Sequence, residues 1–485
     1  MLIRQYSHFV APFLSLAADT SYSNQTNKMQ LLKQRFLPAL VVGFTFFSSC
    51  KKTDVAPPPT EQVPLPGVLS ADMKDSALIY SRDIYLWYNQ IPAGFSARSY
   101  DDPNKIMNAI RQYSIEPGFS TPVDRWSFAV NQGEWNNVSS GISGDFGLTV
   151  FFRSEGDLRV RLVEPASPAG KAGVRRGWRI TSINGNSNIS TSNADFIIKN
   201  VYQSSSNSFT FQKPDNSTVT VNLAATSYQD NPIVLDSVYR IDSKKIGYFS
   251  FNSFLGDTTK IYNEFNRIFN RFAAEGVNDV VIDLRYNGGG YVSVAQKLGN
   301  WLAPLSANGN RMMNEEFNDK YSRYNDAVNF RKLGSLNLDR IFFIVSNGTA
   351  SASELLINNL KPYMSVNIVG SSKTYGKPVG YFPIPLGEWY IFPVSFRSTN
   401  KNGEGAYFNG ISLNHQAADG LDKDWGDINE SLLNSTVGYI VSGVYRSSAA
   451  GTRILASQQS AEVKEGNNTL QEPFFKGAVD TRRLR

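Results

Sequence analysis

Thr349, Ser351, Ser353 and Lys377 are the residues of this 485-residue chain best placed to do chemistry. Residues 346–354 read SNGTASASE, three hydroxyls on alternate positions with only alanines between them. The stretch follows an apolar run, RIFFIV, and precedes another, LLINNL. A loop that merely turned would use more Gly, Pro, Asn or Asp. Hydroxyls at the mouth of a helix suit a nucleophile, because unpaired amides and the helix dipole favour a developing oxyanion. A serine also needs a base. The chain has two histidines, His8 and His415, and His8 precedes a leader-like segment. The other option is a lysine, and TYGKPVG (374–380) sets Lys377 between Gly376 and Pro378. Lysine is a base only when neutral. Lowering its pKa from about 10.4 to about 7–8 costs roughly 4 kcal/mol, which burial among apolar groups can supply. Ser–Lys is a recognised variant of the serine–base pair.

The same residues exclude other chemistries. Gly348 lies three before Ser351, so the G-x-S-x-G elbow is absent and an α/β-hydrolase is not indicated. Gly370 to Lys377 resembles a phosphate loop, but five residues separate the glycines instead of four. Pro378 stands where Ser or Thr should hold magnesium, which sets nucleotide binding aside. Each site residue also has a plainer role. Ser353 could cap the helix with Glu354 in its first turn, and Thr349 could satisfy loop amides. Asp283 and Arg285, in DLRYNGGG (283–290), read as a structural ion pair at a strand end. His415, in NGISLNHQAAD, reads as an exposed loop histidine.

The elements that must position these groups alternate in type from residue 227 onward. IGYFSF (246–251), VNDVVIDLR (277–285), RIFFIV (340–345) and VNIVG (366–370) read as strands. Helical spacing covers 257–275, VSVAQKLGNWL and ELLINNL. EWYIFPVSFRS and the GEGAYFNGI region read as later hairpins. Such alternation implies a mixed α/β sheet with right-handed crossovers, and ligands gather at the C-terminal ends of its strands. SNGTASASE, DLRYNGGG and TYGKPVG all fall at such ends.

Two regions precede this one. From Ser70, a capping residue, apolar positions recur at three- and four-residue steps. A second helix is predicted from Asp102-Pro103, and 68–135 reads as a small helical domain followed by a polar linker to about Gly144. Residues 145–226 read as strands with a short helix at SPAGKAG and an Asn-Gly turn. Ser167–Gly177 and the ING after it resemble a PDZ domain, with Trp178 where Asp is usual. That resemblance implies that Gly147, Leu148, Thr149 and Val150 form the loop holding a peptide C-terminal carboxylate, the peptide adding as a strand.

NGTASASE, with TYGKPVG downstream and DLRYNGGG upstream, resembles the carboxyl-terminal processing (tail-specific) peptidases, the S41 family of serine peptidases. The resemblance covers about 70–440 and implies an α+β multidomain protein. Its parts are a small N-terminal helical domain, a PDZ-like β-sandwich and an α/β catalytic domain of ClpP/crotonase type (227–445). It implies Ser351 as nucleophile and Lys377 as general base, with the amides of Ala352 and of Gly289 or Gly290 as oxyanion hole. No cofactor or metal is implied. The chain departs from the family at Pro378, where Gly is usual, and at Tyr381, where a base-orienting Gln is common. The Tyr381 hydroxyl is the expected substitute. Some relatives use a histidine base, which keeps His415 in view.

The whole composition fits this reading. A formal net charge of +6, scattered over 485 residues, gives no basis for nucleic-acid binding. The one cysteine, Cys50, cannot form an internal disulfide or a metal cluster alone. MQLLKQR, then FLPALVVGFTFF, then SSC is the layout of a secretory signal, too short for a membrane span. The residues before Cys50 resemble a bacterial lipobox, with Phe47 where Leu is usual, so Met29 is the expected start and 29–49 the expected signal. Acylated Cys50 would anchor the chain to a bacterial membrane, facing the periplasm or the surface, with 50–67 as a Pro-rich tether and 446–485 as a C-terminal tail. Expected partners are unfolded or tail-exposed proteins and the membrane. The competing expectation is a catalytically inactive peptide- or lipid-binding envelope lipoprotein on the same fold.

Overall fold

The computed structural model describes residues 70–421, 423–445 and 477–481. The expected signal, the Cys50 anchor, the tether to residue 67 and most of the 446–485 tail lie outside the described residues.

The central sheet has six strands in the order His415–Gln416, Ser365–Gly370, Arg340–Val345, Asp279–Asp283, Lys244–Phe251 and Ile233–Ile241. Neighbours run parallel except the last pair, which is antiparallel. Side chains alternate across each strand, so one apolar run serves two cores. Ile341, Phe343 and Val345 pack with the helices Thr258–Ala274, Val292–Leu302 and Ala352–Leu360, while Phe342 and Ile344 pack with the helix Ser431–Ser442. Asp257 caps the first of these helices, which buries Ile261, Phe265, Ile268, Phe269 and Phe272 at the expected spacing.

Residues 148–224 form a five-stranded antiparallel sheet in sequence order, from Leu148–Ser154 to Thr218–Ala224, around a core of its own. Asn184 and Gly185 both take positive φ at the expected hairpin turn. A helix that the sequence reading did not include, Ala194–Tyr202, closes this core with Ile197 and Val201.

The N-terminal helices start at the expected caps. Ser70 accepts from Met73 N–H before Ala71–Ile84, and Asp102 accepts from Lys105 N–H before Pro103–Ile110. They do not close a core alone: Ala77, Tyr85, Ile106 and Ile110 bury with Tyr381, Ile391, Phe392 and Val394. The expected linker is instead the strand Phe128–Asn131, paired antiparallel with Trp389–Phe392, and the helix Gln132–Ser140. That helix buries only Trp135, which is why its sequence reads as polar. The separate helical domain over 68–135 is thus replaced by a layer continuous with residues 379–394. The hairpin expected at GEGAYFNGI is not formed either, since the strand Phe396–Asn400 ends before it and pairs with Arg311–Phe317 and Val379–Gly380. Far along the chain, Gly477–Val479 forms a strand parallel to Gly289–Tyr291.

Candidate active site

Ser351 lies between the end of the Arg340–Val345 strand and the start of the Ala352–Leu360 helix. Its backbone has φ 57° and ψ −108°, a conformation that L residues occupy at a cost of about 1–3 kcal/mol and that surrounding contacts must enforce. The neighbouring residues provide those contacts. Thr349 Oγ1 donates to Leu284 O at 2.7 Å and accepts from Ser346 N–H at 3.0 Å. Ala350 N–H and Ser353 Oγ both donate to Asn287 O at 3.0 Å. Ser353 is therefore a tie to the glycine loop, not a helix cap, and Thr349 does satisfy loop groups. The remaining hydroxyl, Ser351 Oγ, is buried and has no hydrogen-bond partner among the described residues.

Glu354 joins the serine to the lysine. Its Oε2 accepts from Ser351 N–H at 2.7 Å and from Lys377 N–H at 2.8 Å. Its Oε1 accepts from Thr374 Oγ1 at 2.6 Å and Gly376 N–H at 2.7 Å. Burial pushes this carboxyl above the ordinary range, and the four donors pull the other way. Gly376 has φ 94°, and a Cβ there would strike Phe408 O, so only glycine fits this approach to Lys377. The sequence reading placed Glu354 only as a first-turn acid. Its spacing, three residues after a serine, is that of a capping box, the one local signal that it reaches back.

Lys377 is 1 % exposed. Desolvation holds its amine well below the ordinary lysine value, against the charges of Asp124 and Glu354, which favour the ammonium. Nζ lies 3.6 Å from the centre of the Tyr381 ring. The aromatic face of Tyr381 thus lies against the amine. Asp124 is itself held by Tyr85 Oη at 2.8 Å and by the Trp126 and Ser127 amides at 2.8 and 3.0 Å.

On the other side of Ser351, a Cβ on Gly289 would stand 3.0 Å from Ala352 N, so these backbones abut. Gly289 N–H donates to Asn287 Oδ1 at 2.9 Å. The strand end carrying this loop is fixed by a buried ion network. Arg285 bonds Asp283 at 2.7 Å, Glu430 at 3.0 Å and Asp419 at 3.1 Å. Arg176, from the five-stranded module, also pairs with Asp419 and donates to Tyr286 Oη. Burial pushes the Asp419 carboxyl up, but Arg176 and Arg285 hold it down to about 2. His415 is brought elsewhere and is not an exposed loop residue: it is half-buried in the edge strand, pairs with Val369, and stacks its ring on Tyr445 at 4.3 Å.

Gly147, Leu148 and Thr149 border a cavity of about 360 Å³ that also reaches Leu255, Gly288 and Gly289, and Val150 does not line it. The amides of this loop are not all available: Gly147 N–H donates to Asp145 Oδ1 at 2.7 Å and Val150 N–H to Tyr202 Oη at 3.1 Å. Leu148 and Thr149 sit in the ladder with Val163 and Leu162. Asp145, Glu164 and Asp230 line the cavity. Burial, reinforced by the neighbouring carboxylates, pushes Glu164 up to about 8 and Asp230 to about 6. Among the described residues no group of His, Cys, Asp and Glu could hold a metal ion, and no helix is long and apolar enough to cross a membrane.

Residues 245–414 match the family described as Peptidase family S41. The chain is 26% identical over 320 residues to a "Probable CtpA-like serine protease" of Staphylococcus aureus (strain COL), covering 61% of this chain and 60% of that one. A protein of the same description from Staphylococcus saprophyticus is 25% identical over 264 residues, covering 53% and 50%. The chain thus spans about 60% or less of the length of these relatives. The crystal structure of a Bacteroides fragilis protein assigned to the S41 proteases superposes with a TM-score of 0.61 at 24% identity, over 76% of this chain and 97% of the other, which shows a shared mixed α/β multidomain fold.

Proposed function

The chain carries a peptidase family S41 domain, and from that premise we propose that it is a serine endopeptidase using Ser351 and Lys377. Neutral Lys377 takes the Ser351 hydroxyl proton as Oγ attacks the scissile carbonyl. The amides of Ala352 and Gly290 receive the oxyanion, Gly289 N–H being given to Asn287 Oδ1. Collapse expels the amine, which takes the proton from the Lys377 ammonium, and water then releases the acyl group by the same route. The observation that carries this reading is the Glu354 carboxylate, one oxygen of which holds both the Ser351 and Lys377 amides. It keeps nucleophile and base in register while burial lowers the amine's affinity for a proton. The Tyr381 ring, 3.6 Å from Lys377 Nζ, supports a base-orienting role for this residue in place of the usual Gln, while Pro378 remains the departure that favours the inactive alternative.

Residues 145–226 are proposed as a PDZ-like module that presents the outer edge of Leu148–Ser154 to the C-terminal segment of a protein substrate, which would displace Tyr202 Oη from Val150 N–H. Lipidation at Cys50 and an envelope location complete the proposal. A fluorophosphonate probe with peptide mapping tests its centre. Labelling at Ser351 that rises with pH and is absent in Lys377→Met is the expected result. Labelling elsewhere, or none in folded protein, overturns it.

A further inference from the structure

We propose that the groove between Gly289–Tyr291 and Tyr381 is a binding slot for one extended peptide strand, and that Gly477–Asp480 of this chain occupies it as an internal competitor of substrate. The Gly289–Tyr291 strand has two edges. Phe254 takes one: its N–H donates to Gly289 O at 2.8 Å and its carbonyl accepts from Tyr291 N–H at 3.1 Å. The tail takes the other, with Gly477, Ala478 and Val479 opposite Gly289, Gly290 and Tyr291, and Gly477 N–H donating to Gly288 O at 3.0 Å. Its far edge is bonded as well. Tyr381 N–H donates to Ala478 O and Asp480 N–H to Tyr381 O, both at 3.1 Å. The tail strand therefore bridges the glycine strand and the segment that carries Lys377.

This is the path a substrate needs. A carbonyl brought to Ala352 N–H belongs to a peptide that must run beside Gly289, because an extended chain advances only about 3.3 Å per residue. The edge beside Gly289 on the tail side holds Gly477, whose carbonyl oxygen would meet any Cβ placed on Gly289. With the tail seated, Ser351 and Lys377 are each 1 % exposed and Ala352 is fully buried. The residues seated opposite the two glycines are Gly477 and Ala478, so a segment with Gly or Ala at these two positions repeats the contacts the tail makes.

The competition rests on the peptidase reading, whereas strand binding does not. A chain ending at residue 476 and a fluorescein-labelled peptide of residues 474–485 separate the two. The peptide is expected to bind the shortened chain and not the full chain by fluorescence polarisation. Fluorophosphonate labelling of Ser351 is expected to be about tenfold faster without the tail and to slow again when peptide is added. A folded shortened chain that ignores the peptide overturns the proposal. So does one whose labelling is lost and then restored by the peptide, since the tail would then build the site. Where the shortened chain does not fold, Tyr291→Cys with Val479→Cys, in a chain with Cys50→Ser, decides. Opposed strand residues lie within disulfide reach. The oxidised protein should resist labelling and the reduced protein accept it, and equal rates overturn the proposal. Peptide binding without labelling of any form would keep the slot and its occupant and remove the peptidase reading.

Discussion

Around Ser351 a single carboxylate takes four donors, and the one amine nearby is dry, ring-capped and depressed in pKa. Around Gly147 the arrangement is reversed: three carboxylates border a cavity of about 360 Å³, where burial, with the charges of Asp145 and Asp230, makes Glu164 harder to ionise. The first region fixes backbone positions and leaves one hydroxyl unengaged; the second leaves space and charge. Rigid positioning belongs where a bond is to be made, and adaptable room where a segment of varied sequence is to be received. A buried bridge connects them, from Arg176 in the module through Asp419 to Arg285 and Tyr286, just before the glycine loop.

The largest effects should come from the rigid region. Ser351→Ala and Lys377→Ala are each expected to lower peptide hydrolysis by about 10³-fold or more while leaving the fold and tail-peptide binding in place. Turnover of an unfolded protein substrate, read by mass spectrometry, measures this. Near wild-type cleavage in either variant would break the contrast at its stronger end.

Glu354→Gln comes next. The amide can accept two of the four hydrogen bonds, so either the Ser351 and Lys377 amides or the Gly376 amide faces its NH2, and the joint hold on the serine turn and the lysine loop is broken. We expect kcat to fall by about 10²-fold with KM little changed, the signature of lost positioning. A matching rise in KM would instead assign Glu354 to general integrity of the fold.

Much of this was legible in the chain. The hydroxyl-rich turn, the lysine loop and the glycine loop each sit at a strand end, where periodicity and turn chemistry point. Ser70, Asp102 and the Asn184–Gly185 turn follow local rules. What escaped depends on partners distant in sequence. Phe128 stacks on Phe392 at 4.4 Å, and no local pattern announces that pairing. Gln132–Ser140 is polar on all but one face, and Gly477–Val479 is too short and too small-sided to show a period. Glu354 looked like any acid opening a helix. Its task appears only when Gly376 and Lys377 are folded against it.

The pH response sharpens the comparison, because the two regions titrate in opposite senses. The Lys377 amine is depressed, so acylation should rise with pH through its lowered value, about tenfold per unit on the acid side. For stability, the unfolded lysine binds a proton that the folded one rejects. Unfolding is therefore favoured below the folded value, and stability is regained as pH rises towards the ordinary lysine value. Lys377→Met should remove that slope, as followed by thermal unfolding at stepped pH.

The smallest expected effect lies at the Gly147 loop. Glu164 is pushed up to about 8 from an ordinary 4.5, chiefly by burial and further by Asp230 and Asp145. Between these values the folded state binds a proton that the unfolded state has released. The stability carried by the protonated carboxyl is thus whole below 4.5 and lost as pH rises through about 8. Partial solvent exposure trims the effect, so Glu164→Gln should raise the melting temperature by only about 2 °C at pH 9 and leave it unchanged near pH 5. The same substitution should flatten the weakening of tail-peptide binding as the carboxylates ionise, because an anionic terminus then meets less like charge. A melting temperature equally shifted at both pH values would show that packing, not ionisation, is what this residue contributes. The charged half of the contrast would then rest on Asp145 and Asp230 alone.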